Sequence, residues 1–246
     1  MLKVKVTRNN ATLKITENDK FQLVSVTGLN PPVADIAMSQ LATSDGGVFN
    51  IARGQSRNIV LTIQPMGTVE SKRLLLYEYM APKSEITLDI ETASRHVTIA
   101  GYVESMEIDY NANPQLIQVS VICPNPYFKS VTKVSTAVPD VVTNPSEAAQ
   151  GAEFTITLTG SGTSLVLSNT TTGEALTIND TFASGQIYKI NTIQGQKMVK
   201  LNGNNRMAYV DLSSDWPQLR PGDNTITISG VTCTAVCEFY PLYMGV

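Results

Sequence analysis

The sequence predicts a mainly β protein with two β domains and a single helix. Three observations support this prediction. The chain has 246 residues, of which 42% are hydrophobic and 16% charged, and this suits a folded protein of one or two domains. Short segments of alternating apolar and polar residues recur along the chain, as in half-buried strands. Gly and Pro pairs separate these segments and supply the backbone conformations that tight turns need.

The first part of the chain, residues 1–128, is predicted to form a β-sandwich or barrel-like domain. In its longest strand pattern, the apolar side chains are odd-numbered up to Val103 and even-numbered from Met106. One extra residue near Glu104 or Ser105, a β-bulge, would return these side chains to one buried face. Strand patterns occupy residues 12–15, 21–26, 58–64, 85–91, 95–110 and 116–122.

Residues 69–80 are predicted to form an α-helix that covers a sheet. The stretch contains neither Gly nor Pro. Thr68 is placed to cap its first turn, and Pro82 ends it because the residue before a proline avoids helical angles. The apolar face of the helix consists of Val69, Leu76, Tyr77 and Met80.

Two segments have weak periodicity and are predicted to lie outside the strands. Residues 31–57 carry the pair Gly46-Gly47 and are expected to be a loop that is either mobile or ordered by a neighbour. Residues 129–151 contain Pro139 and Pro145 and are expected to be the crossover between the two domains.

The remaining residues, 152–246, are predicted to form a β-sandwich. About eight strands separated by turns over roughly a hundred residues are typical of this architecture. The strand patterns occupy residues 154–158, 165–168, 176–178, 187–191, 197–202, 207–211, 224–228 and 231–240.

Charge and cysteine content restrict the function. A net charge of −3 and a pI near 5.2 provide no basic surface for a stable grip on nucleic acid, so protein surfaces are the expected partners. The sequence shows neither a secretory signal nor a run of roughly twenty apolar residues, so no membrane insertion is expected. Cys233 and Cys237 fall on one face of a strand about 13 Å apart, which predicts core residues rather than a disulfide. No metal site or cofactor is expected.

Two strings in the sequence carry a resemblance to a known family. Residues 116–128 read LIQVSVICPNPYF, a strand that closes on a Pro and Asn-Pro-Tyr-Phe motif. Residues 182–246 are a run of short strand patterns that contains Pro221-Gly222-Asp223-Asn224 and ends in EFYPLYMGV. In this order and spacing, with weaker similarity through residues 58–89, the strings resemble the distal tail (Dit) proteins of long-tailed bacterial viruses.

The resemblance implies a structural role. Six copies would form a ring through residues 1–128, between the tail tube protein above and the tail-associated or tail-tip protein and receptor-binding or baseplate proteins below. The ring would leave a channel through which DNA passes. Residues 31–57 would be an arm that reaches the next subunit, and residues 152–246 a galectin-like, carbohydrate-module-like sandwich. The implied location is the virion tail, assembled in the host bacterial cytoplasm.

Catalytic motifs are mostly absent, and the protein is not expected to be an enzyme. His96 is the single histidine, and no serine or cysteine lies in a recognisable nucleophile elbow. A glycan hydrolase is the third hypothesis, since two carboxylates suffice for that reaction. The carboxylates to weigh lie at strand ends or beside turn residues, where Asp makes local hydrogen bonds, and they are Asp180, Asp211, Asp215 and Asp223.

The alternative function is that of a carbohydrate-binding β-sandwich protein that mediates adhesion to host-surface glycans. Lectin sites present an aromatic platform, and the candidates here are Trp216, Tyr188 and Tyr209. Trp216 is the sole tryptophan and precedes Pro217 in a short turn. This position favours packing of the loop against the core over an exposed platform.

Alternating carboxylates provide candidates for a channel wall. Glu85, Asp89 and Glu91 alternate with apolar residues along one strand pattern, and Glu107 and Asp109 add a second row. Such rows also occur on ordinary solvated strand faces. In a ring of the implied kind they would line the channel, where negative charge repels DNA phosphates and lets the DNA slide.

Overall fold

The computed structural model describes residues 2–16, 18–42 and 45–246. The chain divides into two compact units, Met1–Val131 with Tyr243–Val246, and Thr132–Leu242. Strands dominate both units, and the described residues contain one α-helix, α1 (Val69–Met80). The predicted mainly β fold class is confirmed. This part of the chain contains no helix that is long and apolar enough to cross a membrane.

The first unit is built on one large antiparallel sheet. Eight of its nine strands are β1 (Lys3–Arg8), β2 (Ala11–Lys14), β3 (Phe21–Thr27), β6 (Arg57–Pro65), β7 (Glu85–Glu91), β8 (His96–Ile108), β9 (Ile117–Cys123) and β10 (Phe128–Ser130). They lie in the order β2-β1-β7-β8-β9-β6-β3, with β10 beside β8. Strand β1 is not among the predicted strands, although its residues alternate between charged and apolar side chains.

The predicted bulge in β8 is confirmed. The pairing of β8 with β9 shifts between Val103 and Ser105, so Glu104 is the extra residue. Val103 therefore lies opposite Val121, and Met106 lies opposite Val119, and both valines of β9 are buried in the core. The bulge keeps the apolar side chains of a thirteen-residue strand on one face.

Helix α1 has the predicted bounds and packs on the core of the first unit. Leu76 and Met80 are buried in that core, whereas Val69 and Tyr77 are half-buried. The predicted side-chain cap is wrong, because Thr68 makes no such hydrogen bond. Its carbonyl oxygen instead accepts a hydrogen bond from Ser71 Oγ at 2.9 Å.

Residues 31–57 differ from the predicted loop, because most of them form a hairpin. Strands β4 (Ala34–Gln40) and β5 (Gly47–Gly54) pair with each other and, among the described strands, with no other. Residues 43–44 lie outside the described residues. Every residue of both strands is exposed. The alternation of buried and exposed residues seen in the other strands is absent, because neither face of the hairpin is buried in its own unit.

The second unit contains two antiparallel sheets that enclose their own core. The strands are β11 (Val134–Val138), β12 (Asp140–Asn144), β13 (Glu153–Leu158), β14 (Leu165–Asn169), β15 (Glu174–Ile178), β16 (Ile187–Asn191), β17 (Met198–Leu201), β18 (Asn204–Asn205), β19 (Gly222–Ser229) and β20 (Cys233–Phe239). One sheet has the order β11-β20-β13-β16-β17-β18, and the other β12-β19-β14-β15. The predicted strand at residues 207–211 is a short 3-10 turn, Met207–Tyr209.

The structure differs from the predicted crossover at residues 129–151. Strand β11 pairs with β20 and strand β12 pairs with β19, so much of this segment belongs to the sheets of the second unit. Pro139 lies between the two strands, where its missing N–H breaks no sheet pairing. The predicted sandwich at 152–246 therefore begins earlier, and the last residues, Tyr243–Val246, belong to the first unit.

The free thiols are Cys123, Cys233 and Cys237. Cys237 is buried in the core of the second unit and Cys233 is half-buried against it. Burial raises the pKa of the Cys237 thiol to about 12 and that of the Cys123 thiol to about 11. These groups stay protonated at neutral pH and act as small apolar side chains.

Candidate functional site

The three predicted channel residues of β7 lie on one face of the large sheet. Glu85, Asp89 and Glu91 alternate with side chains that are buried in the core on the opposite face. Glu85 is exposed, whereas Asp89 and Glu91 are half-buried. The alternation predicted from the sequence is therefore present, and the carboxylates point away from the core.

This face is less acidic than the sequence suggests. The register of β1 on β7 places Lys3 opposite Glu91 and Lys5 opposite Asp89. Lys3 Nζ lies 3.2 Å from Glu91 Oε1, and Lys5 Nζ lies 3.6 Å from Asp89 Oδ1. His96 Nε2 lies 3.0 Å from the same Asp89 oxygen. Two of the three carboxylates are thus paired with cations, which sequence reasoning could not foresee without the order of the strands.

Three more carboxylates lie at the other end of β8. Glu107 is exposed and faces Gln118 of β9, and the bulge sets it on the same sheet face as Glu85. Glu104, which sequence reasoning did not select as a site residue, accepts a hydrogen bond from Ser120 Oγ at 2.8 Å. Asp109 lies beyond β8, and its Oδ1 accepts a hydrogen bond from the Asn111 N–H at 2.9 Å. Asp109 therefore stabilises a turn rather than extending the row.

The hairpin β4–β5 carries several large exposed apolar side chains. Met38 is 65% exposed and Phe49 is 62% exposed, and the two lie directly opposite each other across the hairpin. Ile36 lies two residues before Met38 on β4 and faces the same way. An isolated two-stranded hairpin is at best marginally stable in water. An exposed apolar hairpin of this kind is typical of a segment that contacts another protein chain.

Arg57, at the start of β6, holds together the two strings that carry the family resemblance. Its Nε and Nη2 donate to the Pro126 carbonyl at 2.9 and 2.8 Å, and its Nη2 also donates to the Met244 carbonyl at 2.5 Å. Its planar guanidinium lies 4.3 Å from the centre of the Phe128 ring. Pro126 and Phe128 belong to the first string, and Met244 belongs to the second.

The same guanidinium also fixes the loop after β3. Arg57 Nη1 donates to the Gly28 and Asn30 carbonyls, each at 2.6 Å. The side chain is only 4% exposed, and burial lowers the pKa of the guanidinium, an effect that nearby Cys123 opposes. Arg remains charged because its ordinary pKa is far above neutral pH. The role of Arg57 was not predicted, since a single arginine at the end of a predicted loop gives no local signal.

A second arginine holds the last residues of the chain. Arg95 lies over the Tyr243 ring at 4.2 Å from its centre, and its Nη1 donates to the Gly245 carbonyl. The Val246 N–H donates to the Leu29 carbonyl at 3.2 Å. A Cβ at Gly245 would lie 3.1 Å from the Leu29 oxygen, so a larger residue here would require the neighbouring backbone to shift by a few tenths of an ångström. The string EFYPLYMGV thus ends as a packed part of the first unit.

The three aromatic residues of the predicted sugar site lie in different environments. Tyr188 is buried, and its hydroxyl donates to Asp180 Oδ2 at 2.8 Å. Burial and this hydrogen bond raise the pKa of Tyr188. Tyr188 is therefore wrong as a member of a sugar platform, because its ring cannot reach a ligand.

Trp216 and Tyr209 do not form an open aromatic shelf either. Trp216 is half-buried and packs against the core of the second unit, and Lys197 Nζ lies 5.5 Å from its ring centre. Tyr209 is exposed, and the Arg206 guanidinium covers its ring at 4.9 Å. A cationic side chain thus lies against each ring. The packing of Trp216 on the core supports the interpretation that it anchors its loop.

The carboxylates weighed for hydrolysis serve local structure. Asp211 Oδ1 accepts hydrogen bonds from the Ser213 hydroxyl and N–H, which lower the pKa of Asp211. Asp223 Oδ1 accepts from Thr143 Oγ1 at 2.6 Å. Asp215 is exposed, and its backbone N–H donates to the Ala175 carbonyl. Over the described ranges, no group of three or more His, Cys, Asp or Glu side chains could hold a metal ion.

The described residues form a mainly β protein in two compact units. Residues 146–243 match the family model described as the siphovirus-type tail component, C-terminal domain. No curated protein sequence matches the chain. The predicted resemblance to distal tail proteins is confirmed, for the C-terminal part by the family model and for the whole chain by the fold.

The fold match is to the crystal structure of the Dit protein (gp 19.1) of phage SPP1, described as a paradigm of the hub adsorption apparatus in phages that infect Gram-positive bacteria. The TM-score is 0.77 at 16% identity, over 97% of this chain and 98% of that chain. Two structures of the phage P2 baseplate in its activated conformation, with Ca and with Sr, match with TM-scores of 0.48 and 0.49 at 11% and 10% identity. These two matches cover 97% of this chain and 98% of the other chain.

Proposed function

We propose that this protein is a structural hub of a phage tail tip or baseplate and that it assembles into a ring. The observation that carries the proposal is the SPP1 Dit fold over 97% of the chain, together with the family match over residues 146–243. In this proposal the ring connects the tail tube protein to the tail-associated or tail-tip protein and to receptor-binding or baseplate proteins. Its place is the virion tail, after assembly in the host bacterial cytoplasm.

The first unit has the features that a ring subunit needs. A closed ring repeats one heterologous interface, in which an element of each subunit docks on a different surface of the next. The exposed hairpin β4–β5 is such an element, since its apolar side chains find no cover in their own unit. We expect the ring to be a hexamer, as the resemblance implies, and the second unit to lie outside the ring contacts.

The carboxylate face of the large sheet is the proposed channel wall. Lys3 and Lys5 neutralise Glu91 and Asp89, so among the predicted channel residues the negative charge of this face depends mainly on the exposed Glu85 and Glu107, to which Glu104 adds. A wall with a small excess of negative charge repels phosphates without holding DNA. Of the five predicted carboxylates, Glu85 and Glu107 remain our channel candidates. Asp89 and Glu91 are paired with lysines, and Asp109 stabilises a turn.

Electron microscopy of the purified protein tests the ring proposal. We expect negative-stain images of rings with a central channel, and light scattering that gives a mass of about six subunits at high protein concentration. A protein that stays monomeric, even when the tail-associated partner is co-expressed, would refute the proposal. Strong binding on a glycan array that depends on Trp216, with no ring, would favour the carbohydrate-binding alternative instead.

A charge reversal tests the channel wall. Glu85→Lys with Glu107→Lys is expected to leave ring assembly intact and to slow genome ejection from assembled particles, with the delay largest at low salt. Asp140→Lys with Glu147→Lys, on the second unit, is the matched control, and it changes net charge equally. Normal ejection kinetics of the first variant at low salt would show that this sheet face does not line the channel.

A further inference from the structure

Two lysines lie directly opposite each other on the outer face of a sheet in the second unit. They are Lys189 of β16 and Lys200 of β17. The residues next to them, Ile190 and Val199, are buried in the core, so both lysine side chains point away from it. Like charges directly opposite each other on a sheet are destabilising. Among the described residues, neither lysine forms an ion pair with a carboxylate.

The same sheet contains a second pair of like charges, and that pair is neutralised. Glu153 of β13 lies directly opposite Glu238 of β20. Lys133 bridges the two, because its Nζ lies 2.9 Å from Glu238 Oε2 and 3.8 Å from Glu153 Oε2. The lysine pair has no such counter-charge from the described residues. An anion from outside the chain would supply it.

The lysine pair borders a cleft of about 410 Å³, which we call the β16–β17 cleft. Its lining consists of Ile187, Lys189, Met198, Lys200, Asn202 and Gly203. The lining thus contains two cations, two apolar side chains and one amide, and it contains no carboxylate. Ile187 is exposed and Met198 is half-buried. The cleft therefore suits a ligand that carries a negative charge beside an apolar group.

Asn202 adds a hydrogen-bond donor with a fixed orientation. Its Oδ1 accepts a hydrogen bond from the Ile187 N–H at 3.0 Å, and its own N–H donates to the Ile187 carbonyl at 2.9 Å. An amide that is held through its oxygen presents its NH2 group as a donor. Asn202 Nδ2 donates to no described group. A Cβ at the adjacent Gly203 would meet no atom within 4 Å, so the space beside the amide is open.

We propose that the β16–β17 cleft binds an acidic side chain of a partner protein. The carboxylate lies between the ammonium groups of Lys189 and Lys200 and accepts a hydrogen bond from Asn202 Nδ2. An apolar side chain next to the acidic residue packs against Ile187 and Met198. The inference goes beyond the proposed ring, because it concerns the second unit alone and does not depend on the state of assembly.

The lining favours a carboxylate on a protein over a phosphate or a neutral sugar. Phosphate sites typically add an arginine fork or the N–H groups of a helix N-terminus, and the lining contains no arginine and no helical residue. Sugar sites typically present an aromatic ring, and the lining contains none. A carboxylate beside an apolar side chain matches both parts of the cleft.

Titration of the full chain with a small probe tests the proposal. The probe is acetyl-aspartyl-leucinamide, and its matched control is acetyl-asparaginyl-leucinamide, which lacks the charge. The readout is the 13C-methyl NMR signal of Met198, which is assigned by its loss in Met198→Leu. We expect a saturable shift with the aspartyl probe that added salt weakens, and a shift at least ten times smaller with the asparaginyl probe at the same concentration.

Two results of this titration would overturn the proposed occupant. Equal shifts with the two probes would show that the charge is not recognised. An equal response to inorganic phosphate at the same ionic strength would show an adventitious ion only. Probe binding by a chain that forms no ring would leave this inference in place, whereas rings whose second unit binds no probe would overturn this inference alone.

A charge reversal separates binding from folding. Lys200→Glu replaces the like-charge pair by an opposite-charge pair, so it should raise the melting temperature of the second unit by about 2 °C or more, as followed by Trp216 fluorescence. The same variant should lose the Met198 shift. Lys20→Glu, at an exposed position of the first unit, changes net charge equally and should leave both unchanged. A Lys200→Glu chain that keeps the shift, or that loses it only with a lower melting temperature, would overturn the proposal.

Discussion

Replacement of Arg57 by methionine is expected to destabilise the first unit selectively. Methionine keeps much of the apolar stem but removes five hydrogen bonds to four backbone carbonyls, those of Gly28, Asn30, Pro126 and Met244. It also removes the contact with the Phe128 ring. The carbonyls would be left without their donor in a nearly dry site, and this is the costly part of the change.

The expected loss in the free energy of unfolding is about 4 kcal/mol. A hydrogen bond from a charged donor contributes about 1.5–3 kcal/mol, but bonds that share one side chain do not add. Removal of one partner from a buried charged network costs about 3–5 kcal/mol. At roughly 4 °C per kcal/mol for a unit of this size, the melting temperature of the first unit should fall by about 15 °C.

The sole tryptophan makes the assay specific to one unit. Trp216 belongs to the second unit, so its fluorescence follows that unit while calorimetry follows both. Arg57→Met should lower one calorimetric transition and leave the Trp216 transition in place. Hydrogen exchange at the Val246 N–H, which is bonded to Leu29, should become faster.

Two controls test whether the geometry of the Arg57 guanidinium is responsible for the loss of stability. Arg57→Lys keeps the charge but lacks the planar fork of donors. It should therefore lower the free energy of unfolding by more than half of the loss expected for Arg57→Met. Arg53→Met, at an exposed position of β5, should change stability by less than about 0.5 kcal/mol. A loss below about 1 kcal/mol for Arg57→Met, or an equal loss for Arg53→Met, would refute the reasoning.

Three further predictions concern both units. Trp216→Ala should lower the stability of the second unit by about 3 kcal/mol in a denaturant titration, since the ring packs on its core, and should leave glycan-array signals unchanged. Tyr188→Phe should cost about 1–2 kcal/mol in the same titration because Asp180 loses its hydroxyl donor, and an unchanged midpoint would contradict this role. Limited proteolysis should cut residues 31–57 of the unassembled protein before 129–151, as mass spectrometry of early fragments would show; the reverse order would contradict the exposed hairpin.

The features that could be predicted from the sequence are those that depend on near neighbours in the chain. The helix at 69–80 follows from a stretch without Gly or Pro, and its bounds agree with α1. The bulge at Glu104 follows from a change of apolar parity within one strand. The strings that resemble distal tail proteins were also visible as local patterns. The mainly β class follows from many such patterns together.

Contacts between residues that are distant in the sequence could not be predicted and are seen only in the folded chain. Lys3 and Lys5 neutralise part of the acidic row because β1 lies beside β7, and no local pattern fixes that order. The sequence predicts a loop where the structure has the hairpin β4–β5, because strand patterns depend on a buried face, which the hairpin lacks in its own unit. Arg57 joins Pro126 and Met244, which are more than a hundred residues apart in the sequence, since burial of a charge requires partners that only the folded chain brings together.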